Sequence, residues 1–205
     1  MRPSILSCLV LATAVSAALG QGHAAAADMK AQLNEARAEL APTQGNRARG
    51  TLTLSPDSRG LRISGTVANL RANGEHGFHV HAVGDCSAAD ASSAGDHFNP
   101  GNHNHGNPRT SAPNHAGDMP NLRADARGTA TFAFRITGVT LGDGGDADVL
   151  GKAIVVHADA DDYSSQPAGN AGARIACGVI EATPAPALAP QPIQEAAPAT
   201  QPAAG

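Results

Sequence analysis

Eight of the nine histidines fall between His76 and His157, and this clustering constrains the chain more than any other feature. Imidazoles crowded into one stretch are either solvated on loops or gathered round an ion, and an ion needs a rigid scaffold behind its ligands. Segments that can build such a scaffold flank and punctuate the cluster. Residues 47–54 run into Pro56-Asp57, a turn signal, and residues 61–67 carry apolar side chains at every second position. Gly128-Thr129 leads into residues 131–136, and further strands are expected near 77–82, 151–157 and 175–181. Alternation with period two, broken by Gly, Pro, Asn and Asp and without a long amphipathic helix, indicates an all-β domain. The expected architecture is a Greek-key β-barrel or sandwich of about eight antiparallel strands.

The two ends do not belong to that pattern. Met1-Arg2 is a short positive start, residues 5–19 are an apolar run, and Ala-x-Ala sites follow between Ala24 and Ala27. Residues 1–27 therefore read as a cleaved export signal, cut before Asp28 or alternatively after Gly20. The run is too short and too rich in Ala and Ser for a membrane span, so none is expected after processing. Residues 28–35 form an N-terminal extension with at most a helical turn, and 36–182 the folded domain. Residues 183–205, almost wholly Ala, Pro, Gln and Thr, read as a disordered tail.

Export gives the cysteines a meaning. Cys8 leaves with the signal, and the remaining pair, Cys86 and Cys177, is expected to form a disulfide in the periplasm or cell envelope. The charge balance of 14 Lys+Arg against 18 Asp+Glu is −4, and loss of Arg2 with the signal makes it −5. An acidic chain with 2 % aromatics has neither the basic face nor the stacking surface of a nucleic-acid binder.

Two segments, 83–120 and 158–174, are expected as long loops, and long loops in a small domain usually carry function. His79 and His81, separated by Val80, lie on one face of a strand, a rigid pair of nitrogen ligands suited to copper or zinc. The first loop supplies His97, His105, His115 and Asp118, three imidazoles and a carboxylate suited to a closed tetrahedral zinc site. His103, two residues before His105, competes for the same position. His97 would serve both ions, one through each ring nitrogen. His157, at the end of the Ile154-Val155-Val156 run, would complete a four-nitrogen copper site.

On these residues the chain resembles the copper–zinc superoxide dismutase family, in its bacterial exported form. The residues 76–81, HGFHVH, are similar to the family's first signature, and 169–180, GNAGARIACGVI, to its second. His97-Phe98-Asn99-Pro100, His105-Gly106, His115-Ala116-Gly117-Asp118 and Val155-Val156-His157 follow the family's order, and the similarity extends over about 36–182. It implies one copper per subunit on His79, His81, His97 and His157, and one zinc on His97, His105, His115 and Asp118. It also implies a Cys86–Cys177 disulfide and superoxide as the substrate. Catalysis would rest on Arg174, guiding the anion, and on His97, donating a proton. Asp161 would join a copper-ligand and a zinc-ligand histidine, expected to be His79 and His105. The resemblance departs before the second signature. The animal enzymes carry a lysine and glutamates there, whereas this chain has Tyr163-Ser164-Ser165-Gln166-Pro167-Ala168, so remote guidance must be arranged otherwise, with Lys152 one available cation.

A metal-sequestering envelope protein is the competing reading, but it gives Arg174 no task. A copper-only enzyme is disfavoured because every zinc position is filled. The sequence leaves monomer and homodimer equally open.

Overall fold

The computed structural model describes residues 33–183. The signal segment 1–27, most of the 28–35 extension and nearly all of the 183–205 tail lie outside those residues; 33–35 enter the first strand without regular structure. Nine strands and one 3-10 turn make up the regular structure: β1 (Ala36–Pro42), β2 (Arg49–Asp57), β3 (Gly60–Ala68), β4 (Glu75–His76), β5 (Phe78–His81), the turn Ser92–Ala94, β6 (Leu122–Arg123), β7 (Ala130–Ile136), β8 (Ala153–His157) and β9 (Arg174–Ala182). Seven of them form one curled antiparallel sheet in the order β5-β8-β9-β1-β2-β3-β7, and β4 and β6 form a separate pair. The all-β expectation holds.

Side-chain alternation explains the curl. Leu52 and Leu54 on β2, Leu61, Ile63 and Val67 on β3, Phe78 and Val80 on β5, and Ile154 and Val156 on β8 all point into one buried cluster. All four phenylalanines contribute to it: Phe78 and Phe98 are buried within it, Phe78 meets Phe132 edge-on at 5.1 Å between centroids, and Phe132 stacks on Phe134 at 5.0 Å.

Two details differ from the sequence reading, each for a local reason. Strand β1 (ARAELAP) is not anticipated, because alanines and charges carry no β preference. Its Ala36, Ala38 and Leu40 are nevertheless buried between β2 and β9. Strand β2 runs through the Pro56-Asp57 turn signal and reverses at Ser58-Arg59. β1 pairs with β2 only as far as Leu54, so the missing N–H of Pro56 faces no partner strand there.

The opposite face of β5 and β8 positions the site. The loop after β5 returns along its free edge, with Val80 N–H donating to Gly117 C=O and Phe98 N–H donating to Val80 C=O. This pairs His79 with Asp118 and His81 with His97 across the edge. Gly117 is required there, since a Cβ would collide with the Val80 carbonyl and Phe98. The disulfide Cys86–Cys177, with Cα atoms 5.7 Å apart and a sequence separation of 91, fastens the same loop to β9. Replacing both cysteines by serine is expected to lower the unfolding free energy by about 2–5 kcal/mol. Guanidinium denaturation checks this, and reductant should shift the midpoint of the native protein but not of the variant.

Candidate metal centre

Two groups of buried side chains could hold an ion: His79, His81, His97 and His157, and His97, His105, His115 and Asp118. Within each group the ligand atoms lie within 4.8 Å of one another. His79 and His81 share the outer face of β5 by strand periodicity, and His97 joins them by pairing across from His81. A register shift between Val156 and His157 ends the regular ladder of β8 with His157 paired to Arg174 of β9, and a bulge of this kind re-aims a side chain. The sequence reading of the first group as a convergent set thus describes atoms that the fold brings together. His103 is exposed and belongs to neither group, whereas His105 is buried among the second.

Hydrogen bonds dictate which ring nitrogens carry protons. His79 Nε2–H donates to Asp161 Oδ2 at 2.9 Å, His81 Nδ1–H to Gly95 C=O at 2.8 Å, and His157 Nδ1–H to Gly172 C=O at 3.2 Å. Each acceptor has no proton to give, so the opposite nitrogen of each ring keeps a lone pair. Those opposite nitrogens, His79 Nδ1, His81 Nε2 and His157 Nε2, are buried without any partner, as is His97 Nε2. Four inward-facing lone pairs in one cluster are costly unless a cation accepts them, and four imidazole nitrogens suit copper.

His97 faces two ways. Its Nε2 is one of those four, while its Nδ1 lies 2.9 Å from Asp118 Oδ1 and 3.4 Å from His115 Nδ1. The His105 and His115 Nδ1 atoms approach the same carboxylate oxygen at 3.0 and 3.3 Å. Three nitrogens converging on one carboxylate could hold a metal ion, and this donor set suits a structural zinc. Gly106 N–H and His115 N–H donate to the other oxygen, Asp118 Oδ2, and hold the carboxylate in place.

Asp161 links the two halves, accepting from His79 Nε2 through Oδ2 and meeting His105 Nε2 through Oδ1 at 2.9 Å. Two supports are not assigned from sequence. Asn121 pairs reciprocally with the Asp161 backbone, accepting its N–H at 2.9 Å and donating to its C=O at 2.9 Å. His76 Nδ1–H donates to His157 C=O at 2.8 Å. His76 stands inside the first signature but outside its H-x-H pair, and no local pattern marks Asn121.

Ionisation follows the geometry. Burial pushes His79 down to about 4 against the pull of Asp161, His157 to about 3, and His81 to about 2. These rings stay neutral, the form that binds metal. Burial also opposes charge on His105, but its hydrogen bonds to Asp118 and Asp161 outweigh this and raise it to about 9. Burial favours neutral Asp118, yet His105, His115 and His97 hold its carboxyl far below the usual carboxylate range.

A cleft of about 520 Å³ opens onto the first group, lined by His81, His97, His157 and Arg174 together with Asp96 and Lys152. Arg174 donates through Nη1 to Ala91 C=O and through Nη2 to Gly95 C=O, both at 2.7 Å, so its charge is fixed at the wall. The Lys152 ammonium lies 5.4 Å from the Phe98 ring centroid.

The sequence profile for the copper/zinc superoxide dismutase family (SODC) matches residues 48–180. A Deinococcus radiodurans protein named superoxide dismutase [Cu-Zn] is 40 % identical over 177 residues, covering 80 % of this chain and 93 % of that protein. An Aquifex aeolicus protein named superoxide dismutase [Cu-Zn] 1 is 42 % identical over 135 residues, covering 64 % of this chain and 79 % of its own length. The crystal structure of a SOD-like protein from Bacillus subtilis superposes with a TM-score of 0.64 at 35 % identity, covering 70 % of this chain and 96 % of that one.

Without metal, these ionisations give the protein a stability maximum. His79, His81 and His157 have folded values below their ordinary 6.5, so their contribution is present above that pH and lost as pH falls. His105 is raised, so its contribution is present below 6.5 and lost as pH climbs through about 9. Denaturant unfolding of the metal-free protein across pH 4–9 is therefore expected to peak near 6.5.

Proposed function

Because the chain belongs to the copper/zinc superoxide dismutase family, we propose that it dismutates superoxide at this cleft, with copper held by His79, His81, His97 and His157 and zinc by His97, His105, His115 and Asp118. The observation that carries this reading is the His97 ring, whose two nitrogens face the two donor sets. Two superoxide ions and two protons become one dioxygen and one hydrogen peroxide. Copper, when bound, supplies the one-electron couple for both half-reactions, and zinc supplies a fixed charge without redox chemistry.

The chain's own residues do the rest. His97 Nδ1 is committed on the Asp118 side, so Nε2 is the nitrogen at which this ring takes up a proton and hands it to the reduced oxygen species. Water supplies the second proton. Asp161 holds the orientations of His79 and His105 together, fixing the geometry on both sides of His97. Arg174 binds the anion: its position is set by two carbonyls, its charge persists at every working pH, and N–H groups remain beyond those two bonds. A net charge of −4 for the whole chain repels superoxide, so attraction depends on this local charge inside a narrow, low-dielectric cleft. Lys152 adds a second cation to the same wall, opposed by Asp96.

The reading also places the protein outside the cytoplasm, in the periplasm or cell envelope, after removal of 1–27. The Ala-x-Ala segment and the Cys86–Cys177 disulfide support this. Among the described residues no helix is long and apolar enough to cross a membrane.

The test is metal analysis of the purified protein combined with inhibition of superoxide-driven cytochrome c reduction. The expected result is copper and zinc in equal amounts, with inhibition that chelation abolishes. A folded, copper-loaded protein without inhibition would instead favour metal sequestration. Arg174→Ala is expected to slow superoxide loss roughly tenfold at about 0.01 M ionic strength and less at about 0.15 M, where screening weakens attraction.

A further inference from the structure

We propose that Gln166 is a positioning residue for the zinc half of the centre, holding the backbone of His105 and tying it to the wall of the copper cleft. This rests on the two-metal reading above. His105 N–H donates to Gln166 Oε1 at 2.9 Å, and Gln166 Nε2–H donates back to His105 C=O at 2.9 Å. One side chain thus reproduces the two-bond exchange of paired antiparallel strands, across 61 positions of sequence. The orientation of the amide is fixed, because a backbone N–H can only donate and a carbonyl can only accept. The His105 ring is already gripped by Asp118 and Asp161. Its backbone lies in a stretch without regular structure, and among the described hydrogen bonds Gln166 is its partner on both groups.

Gln166 can act as a clamp because its own loop is braced. The Asp162 carboxylate accepts from Ser164 N–H at 2.9 Å, from Ser165 N–H at 2.8 Å and from Ser165 Oγ at 2.6 Å. Asp162 N–H donates to Gly169 C=O, and Gly169 N–H donates to Ser165 C=O. The loop therefore closes on itself and presents Gln166 outward.

The residues that follow reach the rest of the site. Pro167 and Ala168 line the same cleft as Arg174, His81 and His157. Gly169, at φ +68°, sits so close to Asp161 and His105 that a Cβ would collide with the carboxylate and lie 2.7 Å from Nε2. One run of four residues touches the backbone of a zinc-side histidine, the linking carboxylate and the cleft wall. A shift of His105 on zinc loss must break the Gln166 pairing or drag Pro167 and Ala168 with it. Zinc retention and anion access to copper are coupled through this side chain.

The experiment uses the copper- and zinc-loaded protein with Gln166→Ala and Gln166→Glu, and Ser164→Ala as a control in the same loop. Glutamate keeps an acceptor for His105 N–H but sets a carboxylate oxygen against its C=O. The readouts are zinc transfer to a chelator, the visible spectrum of cobalt(II) placed in the zinc half, and azide binding at copper. Gln166→Ala is expected to release zinc about tenfold faster, to shift the cobalt bands, and to change azide affinity. Gln166→Glu is expected to release zinc faster than the native protein, and Ser164→Ala to match it. Zinc release and cobalt bands unchanged in both Gln166 variants would overturn the proposal, as would a lowered thermal midpoint with an unchanged cobalt spectrum. Should Gln166→Ala fail to fold, Gln166→Glu carries the comparison. A native protein that takes up no zinc would overturn the two-metal reading itself, a result distinguishable from all of these.

Discussion

Four imidazole nitrogens, on His79, His81, His97 and His157, are buried side by side with no hydrogen-bond partner. Each such atom costs on the order of 1–3 kcal/mol in a dry interior, and four together demand a cation. The neighbouring framework keeps them in that state. Gly95, Gly172 and Asp161 accept the proton of the other ring nitrogen on His81, His157 and His79, fixing the tautomers before any ion arrives. Burial then keeps these three rings from protonating near neutral pH.

Such a cluster could not be held by loops alone. Strand β5 contributes two of the clustered histidines at strand spacing, and its neighbour β8 ends in a third. Their inward faces carry Phe78, Val80, Ile154 and Val156 into the apolar cluster, so the histidines are anchored from behind by the core. The two loops are poor in large apolar residues and gain their order by other means. The first is pinned by the Cys86–Cys177 crosslink and by backbone pairing along β5, the second by the Asp162 turn and the Asn121–Asp161 exchange. The positive charge at the cleft is equally local. In a chain of net charge −4, Arg174 and Lys152 line the cleft against the single carboxylate of Asp96.

How much of this can be read from the chain depends on the range of the interaction that decides each feature. Alternation in 61–67 and 131–136 announces strands because it is local, and the H-x-H spacing fixes one face of β5 for the same reason. β1 is only weakly marked: Ala36, Ala38 and Leu40 alternate with Arg37 and Glu39, but these residue types have little β preference and rely on β2 and β9 to flank them. His105 is preferred to His103 through the His105-Gly106 pair, and the loop path agrees, with His105 buried and His103 exposed.

The sequence by itself determined the all-β class, the pair of cysteines in the folded domain, and the set of nitrogen and carboxylate donors. Residue type and short-range periodicity carry that information. The shared role of His97 was already legible in the motifs; only the tertiary structure decided which nitrogen of each ring faces inward and that Gln166 closes on His105. Those outcomes turn on hydrogen bonds between segments dozens of residues apart, whose geometry exists only once the sheet has curled and the loops have folded back onto it.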